Sequence, residues 1–344
     1  MALSTRGKTV LSVLAAVVVL GGGVVGYLLF TGKTDAIPFL GGSRVPAECP
    51  LTGQEPAREQ SAGRTALAVK IENIEEARPQ AGLQEADIVY EEPVEGGITR
   101  FIAIFQCGDA ERLGPIRSAR LVDPSLLSQY GKAIFSYSGG IQRVKKFVAR
   151  SPLQDISQDV APDLYTLDPN RGAPHNVYSD TETLRSGAKV KRDAPEAVFE
   201  YDDEKPERQG SERGREVHLE FSVSSDVYWR YRGGQDRYVR FHGETPHTLE
   251  DGEQVSAANV VVLGVKLRDT GIVDAAGNPS PEVVAVGYGK AWVFRNGRLV
   301  EGEWRRATEG DVMEIVDADG DVVPLAPGTT WVELFPSDLT VEVG

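Results

Sequence analysis

Residues 86–105 read ADIVYEEPVEGGITRFIAIF and contain two of the apolar runs that decide the fold of the first half of the chain. Residues 98–105 are apolar at most positions, as expected for a β-strand that is covered on both faces. Residues 86–90 form a second predicted strand. Residues 65–72 form a third, because apolar and polar side chains alternate there.

Helices are predicted between strands in this half. Asp123 and Pro124 fit the N-cap and the first position of a helix that continues to residue 130. A second helix is predicted after a Gly-Gly pair, with one apolar face: Ile141, Val144, Phe147 and Val148. Strands that alternate with helices predict an α/β domain, residues 65–200.

The pattern changes after residue 200. Residues 201–215 are almost wholly polar and predict a charged linker. Short strands then recur up to residue 335, and Asn296-Gly297 is the strongest hairpin signal because both turn residues need a positive φ. Residues 216–344 are therefore predicted to form an all-β domain, either a sandwich or an open barrel.

The N-terminus predicts attachment to the cytoplasmic membrane. Residues 9–30 carry no charge, and about 20 apolar residues suffice to cross the hydrocarbon core. Arg6 and Lys8 precede this run, so the positive-inside rule places residues 1–8 in the cytoplasm and the bulk of the chain outside. A cleaved secretory signal is the alternative, although the apolar run is longer than such signals have. Residues 31–64 are rich in Gly, Pro and Ser and predict a flexible tether.

Composition excludes some classes of function. The 344 residues include 51 acidic and 37 basic side chains, a net charge of −14, which disfavours nucleic acid as a partner. No nucleotide-binding glycine motif and no Cys/His cluster is present, so neither a cofactor nor a metal is predicted. The two cysteines, Cys49 and Cys107, either pair as a disulfide in an oxidising compartment or remain separate buried thiols.

Four arginines close together in the sequence are the main candidates for a ligand site: Arg78, Arg100, Arg117 and Arg120. If a helix begins at Ser118, Arg117 and Arg120 lie near one face at its start, where backbone N–H groups favour anions. Arginine side chains bind phosphate or carboxylate with two parallel hydrogen bonds. The alternative is that these arginines pair with nearby acids and hold the domain together: Asp87, Glu91, Glu92 and Asp123.

Three further features allow both a functional and a structural interpretation. Asp87 could serve as a general base or could be a solvated acid at a strand end. His175, the single histidine of the N-terminal domain, could be a base or an anion donor, or could bond to the backbone. Several aromatic residues of the C-terminal domain could form a sugar-stacking platform, or could be core and cross-strand pairs: Tyr228, Trp229, Tyr231, Trp292, Trp304 and Trp331.

Several motifs occur together in a fixed order: CPLTG at 49–53, AVKIEN at 68–73, ARPQAGL at 77–83, ADIVYE at 86–91, EGGITRF at 95–101, GPIRSAR at 114–120, APHNVY at 173–178, GKAWVFRNG at 289–297 and PGTTWV at 327–332. With these motifs the chain resembles the YerB-like family of predicted bacterial lipoproteins, whose two-part domain has no established activity. The resemblance covers about residues 49–336. It implies an extracytoplasmic location, although here a membrane helix replaces the family's usual lipid anchor.

Two functional hypotheses follow. The first is a membrane-anchored, extracytoplasmic envelope protein that binds an anionic envelope component or a partner protein through its N-terminal domain. The second is an enzyme that acts on phosphorylated or pyrophosphate-linked envelope precursors, with Arg100, Arg117, Arg120 and Asp87 at its site. The second hypothesis rests on a loose resemblance to the LytR-CpsA-Psr enzymes, which bind a lipid pyrophosphate with arginines. No catalytic motif of those enzymes is present.

Overall fold

The computed structural model describes residues 46–203, 211–274 and 277–344. The predicted cytoplasmic segment and membrane anchor, residues 1–30, lie outside these ranges. The first part of the predicted tether and residues 204–210 of the predicted linker also lie outside them. Within the described ranges, no helix is both long enough and apolar enough to cross a membrane.

The first half is mixed α/β and the second half is all β, as the sequence predicts. In the first half the elements are β1 Leu67–Glu72, β2 Ile88–Pro93, β3 Thr99–Phe105, α1 Val122–Leu127, β4 Ile134–Ser136, α2 Gln142–Val148, β5 Gln154–Asp155, β6 Thr166–Leu167, β7 Val177–Tyr178 and α3 Thr181–Ser186. Short 3-10 helices lie at Ser61–Gly63, Glu75–Ala77, Glu95–Gly97, Ser128–Tyr130 and Pro162–Leu164. The second half contains β8 Ser211–Arg213, β9 Glu216–Ser222, β10 Ser225–Arg232, β11 Arg237–His242, β12 Thr245–Pro246, β13 Ser256–Ala257, β14 Asn259–Val273, β15 Pro279–Val284, β16 Gly287–Arg295, β17 Arg298–Arg306, β18 Glu314–Val316, β19 Thr330–Pro336 and β20 Glu342–Val343.

One long sheet runs through both halves. In the described chain its strand order is β18-β17-β16-β14-β19-β2-β3-β1-β4-β5, with β15 paired to β14 and β8 paired to β17. The junction between the halves is the parallel pair β19–β2. A second sheet has the order β12-β11-β10-β9-β20, with β13 paired to β11, and β6 pairs with β7. The strands of the second half are thus divided between two sheets.

Strand β3 shows why the opening stretch is apolar at successive positions. Phe101 and Phe105 belong to one hydrophobic cluster, whereas Ile102 and Ile104 belong to the cluster on the opposite face. Every residue of the strand is buried. The second sheet covers part of the Phe101 face, where Trp229 of β10 packs edge-on against Trp331 of β19 with ring centroids 5.2 Å apart.

The segment just before β1 is folded, which corrects the prediction of a tether that continues to residue 64. Leu51 and Ala62 are fully buried. Cys49 and Cys107 form a disulfide, so the first of the two cysteine alternatives is the one in the structure. The side chain of Gln106 also donates to the carbonyl of Ser61 at 3.0 Å. Apolar burial and the cross-link hold this segment although its sequence is rich in polar residues and contains three prolines.

The predicted Asn296-Gly297 hairpin is present in the structure, whereas the predicted apolar face of α2 is only partly buried. Asn296 and Gly297 have φ values of 53° and 71°, and they connect β16 to β17 as a two-residue hairpin. In α2, Val144 and Val148 are buried as expected, but Phe147 is 41% exposed. Ile141 is 46% exposed because it precedes the helix in extended conformation and does not lie on the helical face.

Candidate functional site

The pairing register brings three charged residues into a row on one face of the long sheet. Arg100 of β3 lies opposite Glu92 of β2 on one side and opposite Glu72 of β1 on the other. Residues directly opposite each other in antiparallel strands project to the same face. The candidate arginine Arg100 is thereby placed between two carboxylates by backbone pairing alone.

Two arginines share the carboxylate of Glu72. Arg100 Nε lies 3.2 Å from Glu72 Oε1, and Arg117 Nε lies 2.7 Å from Glu72 Oε2. Burial raises the pKa of Glu72, but the charges and hydrogen bonds of the two arginines outweigh it and lower the pKa from 4.5 to about 2. Glu72 is therefore ionised at neutral pH and binds two cations at once.

Arg120 completes this group. Its guanidinium binds Glu95, with Nε 2.9 Å from Oε2, and it also donates to the carbonyl of Ser118 at 3.2 Å. Arg100 donates to the same carbonyl at 3.4 Å, so the three arginines meet around the Ser118 turn. We call Glu72, Glu95, Arg100, Arg117 and Arg120 the arginine cluster.

The predicted helix starting at Ser118 is absent, which corrects the argument for an anion site at its N-terminus. Helix α1 begins at Val122. The backbone N–H of Arg120 donates to the carboxylate of Asp123 at 2.6 Å. The Asp123 carboxylate thus accepts from the backbone N–H that the sequence analysis had expected to bind an anionic ligand.

A buried ion triad lies next to the arginine cluster. Lys70 binds Asp123 at 2.8 Å and also pairs with Glu92, and all three side chains are fully buried. Burial raises the pKa of Glu92 to about 7, although the charge of Lys70 opposes this. The structural alternative of the sequence analysis paired Glu92 and Asp123 with Arg117 and Arg120, whereas in the structure both acids pair with Lys70 and the two arginines pair with Glu72 and Glu95.

His175 lies beside the exposed side of the arginine cluster. The N–H of Ile116 donates to the carbonyl of Val177 at 2.7 Å. This bond joins the loop that contains His175 to the segment just before Arg117. Burial and the charge of Arg117 both lower the pKa of His175, so the ring is neutral at pH 7. Its Nδ1 atom is buried and has no hydrogen-bond partner among the described residues. The same holds for Nε of Arg78, whose Nη2 donates to the carbonyl of Asn73 at 2.8 Å.

Asp87 does not belong to this site. Its carboxylate accepts the backbone N–H groups of Cys107 at 2.8 Å and Gly108 at 3.2 Å, and also that of Gln106. It precedes β2, five strand positions and about 17 Å from Glu92 at the end beside Arg100. Burial raises the pKa of Asp87, and the backbone bonds oppose this. The Asp87 side chain therefore holds the loop of residues 106–108, which contains the disulfide cysteine Cys107, in place.

A second charged cluster, which the sequence analysis missed in part, lies on the opposite face of β2. Glu91 accepts Arg240 Nη2 at 2.6 Å, and the parallel register places Glu333 directly beside Glu91. Arg240 Nη1 lies 2.8 Å from His247 Nδ1. Trp229 donates its indole N–H to Glu333 at 2.8 Å. We call Glu91, Arg240, His247 and Glu333 the inter-sheet cluster, because it lies between the two sheets.

The two carboxyls of the inter-sheet cluster, Glu91 and Glu333, are buried neighbours. Burial raises the pKa of Glu333 well above 4.5, and the neighbouring charge of Glu91 raises it further. An ionised Glu333 would have a buried Oε2 atom without a hydrogen-bond partner. A protonated Glu333 can donate its proton to the carboxylate of Glu91. The available sequence signal was the lone charged residue Glu333 within the otherwise apolar strand TWVELFP, and no comparable signal marks Arg240 within RYVRFH.

A cavity of about 260 Å³ adjoins the arginine cluster. Its polar lining includes Glu95, Ser118 and Arg120. Its apolar lining includes Ile141 and Val273, which are 46% and 60% exposed. In the described ranges, no group of three His, Cys, Asp or Glu side chains has the proximity that a metal site needs. The cavity thus places the Arg120–Glu95 ion pair beside an open apolar wall.

Comparison with known proteins identifies both halves of the chain. Residues 51–194 match the N-terminal domain of the family described as "Protein of unknown function (DUF3048)", and residues 217–332 match its C-terminal domain. The "Putative lipoprotein YerB" of Bacillus subtilis (strain 168) is 28% identical over 314 residues, which cover 88% of this chain and 90% of that protein. The crystal structure of YerB protein from Bacillus subtilis aligns with a TM-score of 0.72 at 27% identity, covering 86% of this chain and 99% of that chain. The YerB resemblance of the sequence motifs is confirmed, and the chain belongs to the DUF3048 family.

Proposed function

We propose that this protein is a membrane-attached, extracytoplasmic module that binds an anionic envelope ligand at the arginine cluster. The apolar segment at residues 9–30 and the name of the YerB relative as a lipoprotein both support the location. A phosphate or pyrophosphate group is the ligand chemistry that arginine forks match best.

One observation carries the proposal: Arg100 and Arg117 share a single carboxylate. Within the cluster three arginines face two carboxylates, and the adjacent triad of Lys70, Glu92 and Asp123 adds two further carboxyls and one lysine. Among the described residues, Arg117 has a partner for Nε only, so both terminal amino groups are available to a ligand. The side chain of Arg117 is 23% exposed.

The binding hypothesis is favoured over the enzyme hypothesis by the position of Asp87. Asp87, the base that the enzyme hypothesis assigned, is held by three backbone N–H groups at the far end of β2, which leaves the neutral ring of His175 as the candidate base near the arginines. The carboxylates that do reach the arginines, Glu72 and Glu95, are themselves bound to guanidinium groups. The side chains therefore support retention of an anion better than proton transfer.

The test is a calorimetric titration with two probes, inorganic pyrophosphate and farnesyl pyrophosphate. Arg117→Ala should weaken binding about tenfold or more, because a charge-assisted fork is lost. Arg117→Lys should weaken it less, since it keeps the charge and loses the fork. Arg232→Ala removes an exposed arginine of the second half and is the matched control. Equal affinity of the wild type and Arg117→Ala for both probes would reject the proposal.

A further inference from the structure

A second groove lies in the other half of the molecule, on β16 and β17. Its volume is about 580 Å³. The cross-strand pairs Trp292–Glu301 and Lys290–Glu303 line it, and the turn that contains Asp319 forms one wall. Because strand side chains alternate between faces, these two pairs project to the same face of the long sheet. The groove thus combines one aromatic side chain with charged groups of both signs.

Trp292 differs from the other three tryptophans. Trp229, Trp304 and Trp331 are buried, and the indole N–H groups of Trp229 and Trp304 are bonded to Glu333 and to the carbonyl of Gly264. Trp292 is only partly buried, and its indole N–H has no partner among the described residues. It is the tryptophan of the predicted sugar-stacking set that lines an open groove.

The ring of Trp292 is held in place by the neighbouring strand. Gly264 of β14 lies beneath it, and a Cβ atom at that position would come within 3.5 Å of the ring. This distance is an ordinary van der Waals contact, so the indole lies against β14. The ring also packs against the hydrophobic cluster between the sheets, which fixes its position, while Trp292 lines the groove.

The charged groups around this ring are available. Within the described ranges, neither Lys290 nor Glu301 forms an ion pair, although they project to the same face of adjacent strands. The wall at Asp319 is ordered, because the carboxylate of Asp317 accepts the N–H groups of Asp319 and Asp321, each at 3.0 Å. An aromatic floor with separate donor and acceptor groups along its sides favours a neutral polyhydroxylated ligand over a simple ion.

We propose that this groove binds a glycan, with a sugar ring stacked on Trp292 and its hydroxyl groups bonded to Glu301 and Lys290. The apolar C–H face of a pyranose matches the indole face. Carboxylates accept hydrogen bonds from sugar hydroxyls, and the Lys290 ammonium donates to a hydroxyl or carbonyl oxygen. This site is separate from the arginine cluster, and the inference does not depend on the proposed anion binding.

The experiment titrates the protein with chitotetraose and cellotetraose and follows binding by calorimetry and tryptophan emission. Trp292→Ala should weaken binding about tenfold, as is common when a central aromatic contact is removed. The blue shift of emission on binding should also vanish, because the other three tryptophans are buried. Glu301→Gln, at an exposed site where the fold is not at risk, should weaken binding about threefold.

Tyr288→Ala is the matched control. Tyr288 is on the same strand and the same face, is 76% exposed and does not line the groove. Its affinity should stay within about twofold of the wild type, because no stacking contact is removed. The proposal is overturned if neither saccharide binds the wild type at millimolar concentration. It is equally overturned if Trp292→Ala and Glu301→Gln both bind as the wild type does.

Discussion

The arginine cluster and the inter-sheet cluster use the same residue types on opposite faces of β2. Glu92 projects to the face of the arginine cluster, and its sequence neighbour Glu91 projects to the face that the second sheet covers. Arg240 and Glu91 are fully buried, whereas Arg117 and Arg120 are 23% and 17% exposed. The two regions therefore differ in how far the second sheet covers their side chains.

This difference separates a structural role from a binding role. In the inter-sheet cluster Arg240 is enclosed by Glu91, two histidines and the rings of three aromatic residues, so a ligand has no access. Burial also lowers the pKa of His247 far below 6.5, with help from the charge of Arg240, so Arg240 remains the cation there. In the arginine cluster Arg117 is partly exposed, which is why a binding role is proposed for it.

The largest effect is expected when the buried pair is broken. Arg240→Met leaves the carboxylate of Glu91 buried without a counter-ion, and loss of one partner of a buried pair costs about 3–5 kcal/mol. Urea unfolding at pH 7 measures this loss. Arg230→Met on the adjacent strand is the control, because its partners Glu216 and Glu244 are exposed, and it should lose about 1 kcal/mol or less. Similar losses in both variants would mean that the inter-sheet cluster is not a structural element.

A smaller effect is expected from acid at Glu72. The folded-state pKa of about 2 is below the ordinary value of 4.5, so this carboxylate stabilises the fold above pH 4.5 and the stabilisation is lost as pH falls towards 2. The difference corresponds to about 3 kcal/mol. The stability difference between the wild type and Glu72→Gln should therefore shrink across this pH range in urea unfolding. A difference that stays constant from pH 5 to pH 2 would contradict the shared pairing.

The sequence predicts those parts of the fold that local patterns determine. The apolar run of β3 and the Asn296-Gly297 turn each depend on neighbouring residues only, and both predictions agree with the structure. The insertion of β19 beside β2 depends on pairing between segments that are far apart in the chain, and no local pattern encodes it. The shared sheet therefore could not be predicted from composition or periodicity.

In the candidate site, too, local sequence identifies some residues, whereas others are brought together only by long-range pairing. Arg100, Arg117 and Arg120 were candidates because they are close in sequence, and the structure does bring them together. Glu72, the common partner of Arg100 and Arg117, was not singled out, because it is selected by the register of β1 against β3. Asp87 was misjudged because its partners are backbone N–H groups of a turn, which a sequence does not display.

A still smaller change in stability is expected for Arg117→Ala, which sharpens the contrast with Arg240. Glu72 keeps Arg100 as a partner, and the removed side chain is partly exposed, so the loss should be about 1 kcal/mol or less. Anion binding should nevertheless fall as described above. If urea unfolding showed a loss as large as that of Arg240→Met, the arginine cluster would be a structural element like the inter-sheet cluster.

The smallest effect is expected for Glu333→Gln. A neutral Glu333 accepts from Trp229 and donates to Glu91, and a glutamine can do both, so stability at pH 5 should stay within about 1 kcal/mol of the wild type. Because folding raises the pKa of Glu333, the folded wild type retains a proton that the unfolded chain releases above pH 4.5. This contribution to stability therefore declines as pH rises. Glu333→Gln has no titrating group at this position. Its free energy of unfolding should therefore rise relative to that of the wild type between pH 5 and pH 9. A loss of about 3 kcal/mol at pH 7 would instead mean that Glu333 is ionised and paired with Arg240.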